Sequence, residues 1–324
     1  MLLKAFFSYT KSVIHLCICL VSLEEGSGID KMLIKKEFDD ASSVFFSTDV
    51  HGQKAGLDTA LILAGYKRHE GHHLVLAGDS INGGPDSEGM IKKIVNDDKA
   101  FSVLGNHEAY VLGLAKHLNK FDFNIIKNYL STPSPTRSLI DIFSESEYYS
   151  PCPKVTKGRE QICQWVYNGG KWFFEKSFEE RMGLLKSLHQ NQLPVALELT
   201  FPEGKIGVVH GTVPGLDWRR LQGEISAEDK YCALWERGYI PGFRDKKIDP
   251  QSIRDVANID AVVVGHTSAG FNPVRLGNTW CLDVGAKRTG RPAVMTAKSI
   301  LDSVKRSRPK PSIRFINSTL KQKV

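Results

Sequence analysis

The sequence predicts a layered α/β fold, and three observations support that prediction. Five β-rich runs, at 43–48, 73–77, 101–104, 205–209 and 261–264, each stop directly before a glycine, aspartate or histidine. Between the first three runs, apolar residues recur at helical spacing, at 57, 60, 61 and 64 and at 90, 91, 94 and 95. The 324 residues contain 41% hydrophobic and 24% charged residues, which fits a soluble globular enzyme.

The order of the first three runs, β-α-β-α-β, is typical of folds in which helices cover a sheet. Ligand sites in such folds gather at the carboxyl ends of the strands. The residues at these ends that can bind a metal or move a proton are Asp49, His51, Asp79, Asn106, His107, His210 and His266. Each of them alone has an ordinary explanation: an aspartate after a strand is often a turn or helix cap, and a lone histidine is more often a satisfied surface or core residue than a ligand. Their repeated placement after five separate strands favours one shared site.

Mixed oxygen and nitrogen ligands suit Mn²⁺, Fe or Zn²⁺ in a catalytic site better than a structural zinc site. The six cysteines, Cys17, Cys19, Cys152, Cys163, Cys232 and Cys281, show no paired metal spacing and favour free thiols in a reduced compartment. A strand-end carboxylate can bridge two metals about 3.5–4 Å apart, which clamp a phosphate and activate a water. A histidine is the usual donor of a proton to the leaving oxygen.

The ordered blocks "DVHGQ" (49–53), "GDSINGGPDS" (78–87), "GNHE" (105–108), "HG" (210–211) and "GHT" (265–267) resemble a known signature. It is that of the phosphoprotein-phosphatase branch of the calcineurin-like metallophosphoesterases, and the chain is most similar to the bacterial and phage lambda-type enzymes. Supporting blocks are "WVYNGGKWFF" (165–174), "LPVALEL" (193–199), "ALWERG" (233–238) and "NTWCLDVGAKRTG" (278–290). Together they cover about residues 43–297 in the family's order.

The resemblance implies an α/β (α+β) fold, a four-layer αββα sandwich of mixed sheets flanked by helices. It implies two divalent metal ions, Mn²⁺ first, with Fe, Zn²⁺ and Ni²⁺ as alternatives. Asp49 and His51 would hold one metal, Asp79 would bridge, and Asn106, His210 and His266 would hold the other. His107 would protonate the leaving group and Arg237 would bind phosphate. A metal-bound hydroxide would attack directly, without a phosphoenzyme.

The loop after Asp79 departs from the family motif G-D-x-x-D-R-G at two positions. Asn82 stands where the motif has its second aspartate, and Gly83 stands where it has arginine. The aspartate orients the catalytic histidine, so Asn82 is expected to accept a hydrogen bond through its carbonyl without supplying charge. The arginine holds phosphate oxygens in a fork, which Gly83 cannot do. Lys287 or Arg288 is the predicted substitute.

The predicted function is a dinuclear metal-dependent phosphatase acting on phosphoserine or phosphothreonine, with phosphotyrosine left open. A dinucleoside polyphosphate (diadenosine tetraphosphate) hydrolase is one alternative, and a weakly active or non-catalytic phosphate-binding member is another. The expected partner is a phosphoprotein or phosphopeptide, and no specific nucleic acid is expected. The predicted location is cytoplasmic, with export or delivery to a host cell as open alternatives.

The predicted organisation has three parts. Residues 1–31 form an extension that reads as a signal-like segment or as a start placed too early, and residues 32–300 form the catalytic domain. An insertion at about 109–164, rich in proline and serine, is either a surface insertion or a cap over the site. The segment 301–324 is a basic tail: without residues 305–324 the Lys+Arg count falls from 43 to 36, equal to the 36 acids. Acidic partners or a membrane surface are its candidate contacts.

Overall fold

Two mixed β-sheets form the centre of the molecule. The computed structural model describes residues 32–114 and 165–307. The predicted extension 1–31, most of the predicted insertion and the tail beyond 307 lie outside the described residues. The described strands are β1 (Leu33–Glu37), β2 (Val44–Ser47), β3 (His73–Leu76), β4 (Ala100–Ser102), β5 (Ala196–Phe201), β6 (Gly204–Val209), β7 (Ala261–Val264), β8 (Val274–Leu276), β9 (Thr279–Cys281) and β10 (Met295–Thr296).

Helices cover both sheets and connect several of their strands. The described helices are α1 (Lys54–Leu63), α2 (Ser87–Asn96), α3 (Asn106–Leu114), α4 (Lys171–Phe174), α5 (Phe178–Asn191), α6 (Ala227–Trp235), α7 (Ile240–Arg244), α8 (Ala286–Thr289) and α9 (Ala297–Ser307). A π-helical turn, Val166–Gly170, precedes α4. Turns of 3-10 helix lie at Ala41–Ser43, Arg68–Glu70, Pro214–Leu216, Trp218–Leu221 and Pro250–Ser252.

The strand order places parallel strands at the middle of each sheet. The six-stranded sheet has the order β1-β5-β6-β7-β9-β8, and the four-stranded sheet has the order β10-β2-β3-β4. In the smaller sheet β2, β3 and β4 are parallel, and β10 is antiparallel to β2. In the larger sheet β6 is parallel to β7, whereas β5 and β6 form an antiparallel hairpin. The ends of β2, β3, β4, β6 and β7 therefore supply one edge where loops can meet.

Alternating side chains of the central strands enter two different cores. Phe46 and Val75 face the larger sheet and pack in one cluster with Leu199 and Val208. Phe45, which precedes Phe46 on β2, packs in a second cluster with the apolar faces of α1 and α2. Because β2 is covered on both faces, all four of its residues are buried, and its first three are apolar rather than alternating with polar residues.

Local signals in the sequence set where several helices begin. Asp86 caps α2 by accepting a hydrogen bond from the Gly89 amide. Ser177 and Glu180 form a reciprocal capping box at the start of α5. Helix α9 presents Ala297, Ile300, Leu301 and Val304 at helical spacing, and all four pack into the core between the sheets. In the described part of the chain, no helix is both long and apolar enough to cross a membrane.

The predicted fold of mixed sheets flanked by helices is confirmed. The five predicted strands are present, although β4 ends at Ser102 because the Leu104 amide turns to the Pro194 carbonyl instead. Strands β1, β5, β8, β9 and β10 were not predicted; three of them have only two or three residues, too few to show a period. Helix α9 runs to Ser307, past the predicted end of the catalytic domain at 300, and α3 occupies 109–114 of the predicted insertion.

Candidate metal centre and active site

Five strands bring the predicted site residues to one pocket of about 330 Å³. The residues are Asp49 and His51 after β2, Asp79 after β3, Asn106 and His107 after β4, His210 after β6, and His266 after β7. Six of them line the pocket, and His210 is fully buried against it. Because β2, β3 and β4 belong to one sheet and β6 and β7 to the other, the site lies across the ends of both sheets.

The turns that carry these residues are strained. Asp49, His51, Asp79 and His266 all have φ between 49° and 66°, a region that residues with a side chain rarely adopt. Each such residue costs about 1–3 kcal/mol of stability, and such residues cluster where function needs an exact side-chain direction. Close approach adds a second constraint: a Cβ atom on Gly265 would lie 2.1 Å from Asp49 Oδ2.

Asp79 lies at the centre of the imidazole groups. Its Oδ1 is 3.3 Å from His210 Nε2, and its Oδ2 is 3.8 Å from His107 Nε2 and 3.9 Å from His51 Nε2. The ligand atoms of His51, Asp79 and His107 lie within 4.8 Å of one another, and so do those of Asp79, His210 and His266. Asp79 belongs to both groups, which is the position that a bridging carboxylate requires.

Asn106 directs its side-chain amide at two imidazoles. As placed, its Oδ1 is 2.9 Å from both His210 Nε2 and His266 Nδ1. With the amide turned over, the nitrogen would instead donate to both rings and to Asp79. The backbone carbonyl of Ala77 accepts from His210 Nδ1 at 2.8 Å, which directs the other ring nitrogen into the site. His51 is held in the same way, with Nδ1 3.2 Å from the Ile81 carbonyl.

This set of donors fits divalent metals. Neighbouring ligands on an octahedral cation with bonds of about 2.1 Å lie roughly 3 Å apart, as the Asn106 oxygen and the two imidazole nitrogens do. Carboxylate, amide and imidazole are ligands that Mn²⁺, Fe and Zn²⁺ accept. The family resemblance would assign Asp49, His51 and Asp79 to one ion, and Asp79, Asn106, His210 and His266 to the second. In the structure Asp49 Oδ1 lies 3.8 Å from His51 Nε2.

The electrostatics of the pocket favour positive charge. Burial opposes ionisation of Asp79, but the charge and the hydrogen bond of His210 outweigh it and hold the carboxyl pKa well below its usual value. Burial also opposes the imidazolium form of His210, yet Asp79 raises its pKa to about 10. Burial and the charge of Asp283 raise the pKa of Asp49. A cation bound among these carboxylates would displace the His210 proton and relieve their repulsion.

Asn82 contacts the predicted proton donor, but with the opposite polarity from the one expected. Trp172 Nε1 donates to Asn82 Oδ1 at 2.8 Å, and Asn82 Nδ2 lies 2.9 Å from His107 Nδ1. Since an indole N–H only donates, the Asn82 carbonyl faces Trp172 and its NH₂ group faces His107. The expectation that Asn82 accepts from His107 is therefore wrong, because Trp172 already occupies the carbonyl.

The direction of the Asn82 hydrogen bond determines which ring nitrogen of His107 carries the proton. His107 Nδ1 acts as an acceptor, so the proton of the neutral ring lies on Nε2, which faces Asp79 and the pocket. Burial lowers the pKa of His107 to about 3, against the opposing charge of Asp79. His107 is thus a neutral hydrogen-bond donor at the site, and the group that contacts its Nδ1 is the uncharged amide of Asn82, where the family has an aspartate.

Glu108 is a site residue to which the sequence reasoning gave no role. Its carboxylate is fully buried and accepts hydrogen bonds from the amides of Asp79, Ser80 and Gly105, at 2.8–3.1 Å. It thereby ties the start of α3 to the loop that carries Asp79. The signal was present, since Glu108 closes the quoted block "GNHE", but a glutamate after a histidine does not by itself reveal a backbone-binding role.

Two cations line the pocket. Arg237 is exposed at the rim and donates from Nη1 to Thr267 Oγ1 at 3.2 Å. Lys287 is half-buried and lines the same pocket. Arg288 is exposed and is not among the lining residues, because the next residue on a helix points about 100° away. The structure therefore brings Arg237 and Lys287 to the site and leaves Arg288 outside it.

An aromatic wall, which the sequence reasoning did not predict, closes another side of the pocket. Tyr110, Tyr231 and Trp235 all line it. The Trp235 ring meets the His266 ring edge-on at 6.3 Å and the Tyr110 ring at 5.2 Å. Such rings exclude water from one side of a site and stack against planar groups. Trp235 lies within "ALWERG", one of the supporting blocks of the resemblance, but only Arg237 of that block was assigned a role.

Comparison with solved structures gives distant likenesses. A protein-tyrosine phosphatase of Shewanella sp. is 14% identical, with 85% of this chain and 80% of that chain covered and a TM-score of 0.40. A protein serine/threonine phosphatase of Saccharomyces cerevisiae is 12% identical, with 86% and 88% covered and a TM-score of 0.40. A protein described as a candidate diadenosine tetraphosphatase is 16% identical, with 81% and 97% covered and a TM-score of 0.41. At these TM-scores the likenesses carry no argument about substrate.

No curated protein matches the chain. The family model for calcineurin-like phosphoesterases, in contrast, matches residues 42–269. That span begins just before β2 and ends just after His266, so it contains all five strands whose ends carry the site. The match covers well over half of the chain, and the chain belongs to the calcineurin-like phosphoesterase family.

Proposed function

We propose that this protein is a divalent-metal-dependent phosphatase that hydrolyses phosphomonoesters on proteins. The observation that supports it most is that Asp79 belongs to two groups of possible metal ligands, one with His51 and His107 and one with His210 and His266, in a pocket that Arg237 also lines. Phosphoserine and phosphothreonine are the proposed substrates, and phosphotyrosine is included because a pocket with an aromatic wall can accommodate its ring. Manganese is the proposed metal, on the basis of the oxygen and nitrogen donors.

The metals, when bound, would lower the pKa of a water and neutralise charge on the phosphoryl group. The protein's own residues then have three tasks. Arg237, at the rim, would bind the phosphoryl oxygens and orient the ester. His107 would direct its Nε2 hydrogen at the leaving oxygen, since its other nitrogen is occupied by Asn82. Trp235 and Tyr110 would exclude water from the side of the pocket nearest His266.

The proposed partner is a phosphoprotein or phosphopeptide, and the proposed location is the cytoplasm. Hydrolysis of dinucleoside polyphosphates is the competing activity, since the same donors can activate water against an anhydride. A non-catalytic role in phosphate binding is the third reading, and it is distinguished by the absence of turnover.

The test is release of inorganic phosphate from matched phosphoserine, phosphothreonine and phosphotyrosine peptides and from diadenosine tetraphosphate. The full chain is assayed with Mn²⁺ and after chelation. We expect metal-dependent release from at least one peptide at a kcat/KM well above that for the dinucleotide. Preference for diadenosine tetraphosphate would replace the proposal with the competing activity. Absence of release from every substrate by the folded, metal-loaded protein would favour the non-catalytic reading.

A further inference from the structure

Gly83 and Lys287 share one space beside the active site. Gly83 has φ of 110° and no side chain, and a Cβ atom built on it would lie 2.7 Å from Lys287 Cε and 2.9 Å from Lys287 Cγ. The aliphatic stem of Lys287 therefore lies over Gly83 and fills the region next to its Cα. A residue with a side chain at 83 would collide with that stem, so the glycine and the lysine depend on each other.

The ammonium group of Lys287 extends from this stem into the pocket. Its Nζ donates to the carbonyl oxygen of Asn168 at 3.0 Å, and Asn168 also lines the pocket. Within residues 32–114 and 165–307, no carboxylate lies within ion-pair distance of this ammonium. The ammonium groups of Lys54 and Lys176, in contrast, each pair with a carboxylate. A lysine has three N–H donors, and the carbonyl uses one of them. The remaining donors and the full charge are available to an anion.

Lys287 shares the pocket with candidate metal ligands. Asp49, His51 and Asp79 line it together with Lys287. An anion bound beside these ligands would therefore lie in the same cavity as the Lys287 side chain. Arg237 is the other cation of the lining, and it approaches from the chain segment after α6.

From this arrangement we infer that Lys287 binds the phosphoryl oxygens of the substrate, in place of the arginine that position 83 lacks. This inference rests on the proposed function and identifies the group that would hold the anion. A lysine offers a compact charge with rotatable donors rather than a rigid fork. Substrate binding would therefore exchange the Asn168 carbonyl for a phosphoryl oxygen at one N–H.

The test uses inorganic phosphate as the probe and the full, Mn²⁺-loaded chain. Phosphate binding is measured by calorimetry for the wild type and for Lys287→Met, Arg288→Met and Lys186→Met. Each variant removes one positive charge, and Lys186 is an exposed residue on α5. We expect Lys287→Met to weaken binding by about tenfold or more, as for loss of a charged hydrogen bond. The other two variants should stay within about twofold, as for exposed charges.

Equal binding by Lys287→Met and Lys186→Met would overturn the inference, and a loss confined to Arg288→Met would assign the role to Arg288. Binding does not require turnover, so the inference stands or fails separately from the phosphatase proposal. If the wild type binds phosphate through Lys287 but hydrolyses nothing, only the proposed function fails. If it hydrolyses substrate while Lys287→Met keeps its phosphate affinity and KM, only the inference fails.

A double-mutant cycle tests the shared space itself. Gly83→Ala introduces a Cβ atom at positive φ in any background, but it meets the Lys287 stem only when the stem is present. We expect the Tm loss from Gly83→Ala to be smaller by about 2 °C or more in Lys287→Ala than in the wild type. An identical loss in both backgrounds would show that the stem does not lie over Gly83.

Discussion

The metal cluster and the loop that follows Asp79 differ in where their parts come from. Each candidate metal ligand lies in a short motif that follows a strand, and the positive φ of Asp49, His51, Asp79 and His266 sets the direction of those four side chains. The loop 80–84, in contrast, is completed by residues distant in sequence. Trp172 fixes the amide of Asn82, and the stem of Lys287 covers Gly83. The cluster therefore depends on local backbone geometry, whereas the loop depends on tertiary contacts.

The two regions therefore differ in the amino-acid substitutions that they tolerate. The strand-end turns allow few substitutions, because their backbone and side chains are constrained together. Several have positive φ, and Gly265 packs directly against the Asp49 carboxylate. The loop 80–84 has partners that are distant in sequence. A substitution in this loop can therefore be compensated when a side chain from another segment fills the space. The departures at Asn82 and Gly83 both lie in the second region. The Lys287 stem fills the space beside Gly83, and the Asn82 amide contacts both Trp172 and His107.

The largest effect is expected from His107→Gln. Loss of a positioned proton donor or hydrogen-bond donor typically lowers kcat by about 10²–10⁴. Mn²⁺ binding should remain within a few-fold of the wild type, because on our assignment His107 is not a ligand. Steady-state kinetics with a phosphoserine peptide, whose alkoxide leaving group needs a proton, and calorimetric Mn²⁺ titration measure the two quantities. Loss of one bound Mn²⁺ in the variant would instead place His107 among the metal ligands, beside His51 and Asp79.

A smaller gain is expected from Asn82→Asp. The carboxylate can accept from Trp172 Nε1 and from His107 Nδ1 together, so it would raise the pKa of His107 from about 3. The imidazolium would then exist at the acid end of the assay range. The rate with phosphoserine peptides should rise about tenfold there, and less with p-nitrophenyl phosphate, whose leaving group needs no proton.

The control for that experiment is Asn82→Ala, which removes the contact without supplying charge. It should lower the rate for both substrates and leave the shape of the pH profile unchanged. A pH profile of Asn82→Asp identical to that of the wild type would show that the Asn82–His107 contact does not set the state of the imidazole.

Glu108→Gln should lower stability more than activity. Its carboxylate accepts three backbone N–H bonds, and a glutamine amide would turn its NH₂ group toward at least one of those donors. An unsatisfied buried donor costs about 1–3 kcal/mol of unfolding free energy. Urea denaturation of the metal-free protein measures it, with the exposed Glu175→Gln as the matched control. Equal stability of the two variants would contradict the tie between α3 and the Asp79 loop.

The smallest expected signal is a proton released on metal binding. His210 has a pKa of about 10 in the metal-free protein, above its ordinary value of 6.5, so it is protonated at neutral pH. Its pairing with Asp79 stabilises the metal-free protein below pH 6.5, and that contribution is lost as the pH rises through 10. A metal ligand must be neutral, so Mn²⁺ affinity should rise with pH across the same window. Calorimetry in buffers of different ionisation enthalpy should show about one proton released from His210, and no release would contradict this assignment.

Much of the site could be predicted because its information is local. Each β-rich run ends within a few positions of the polar residue that follows it. Asp49, Asp79 and His266 could therefore be predicted without knowledge of packing. The same holds for the helices whose apolar spacing is regular. The strands β8, β9 and β10 have only two or three residues and show no such period, so they were not predicted. The edge strand β1, which pairs along only one side, was not predicted either.

The remainder required the fold because it depends on which surfaces meet. Ninety residues separate Trp172 from Asn82, and no local pattern states that an indole will occupy the amide carbonyl. The choice between Lys287 and Arg288 depended on the direction in which a short helix presents each side chain. The role of Glu108 depended on three amides that approach one another only in the folded chain.

The most direct test of the central claim is the number of Mn²⁺ ions bound per chain, measured together with metal-dependent hydrolysis of p-nitrophenyl phosphate. The wild type is compared with Asp79→Asn. We expect two ions and turnover for the wild type, and at most one ion for the variant. The predicted loss of rate exceeds the roughly 10²–10³-fold that removal of one stabilising donor costs. Two ions and undiminished turnover in Asp79→Asn would contradict a site built around a carboxylate shared by both metals.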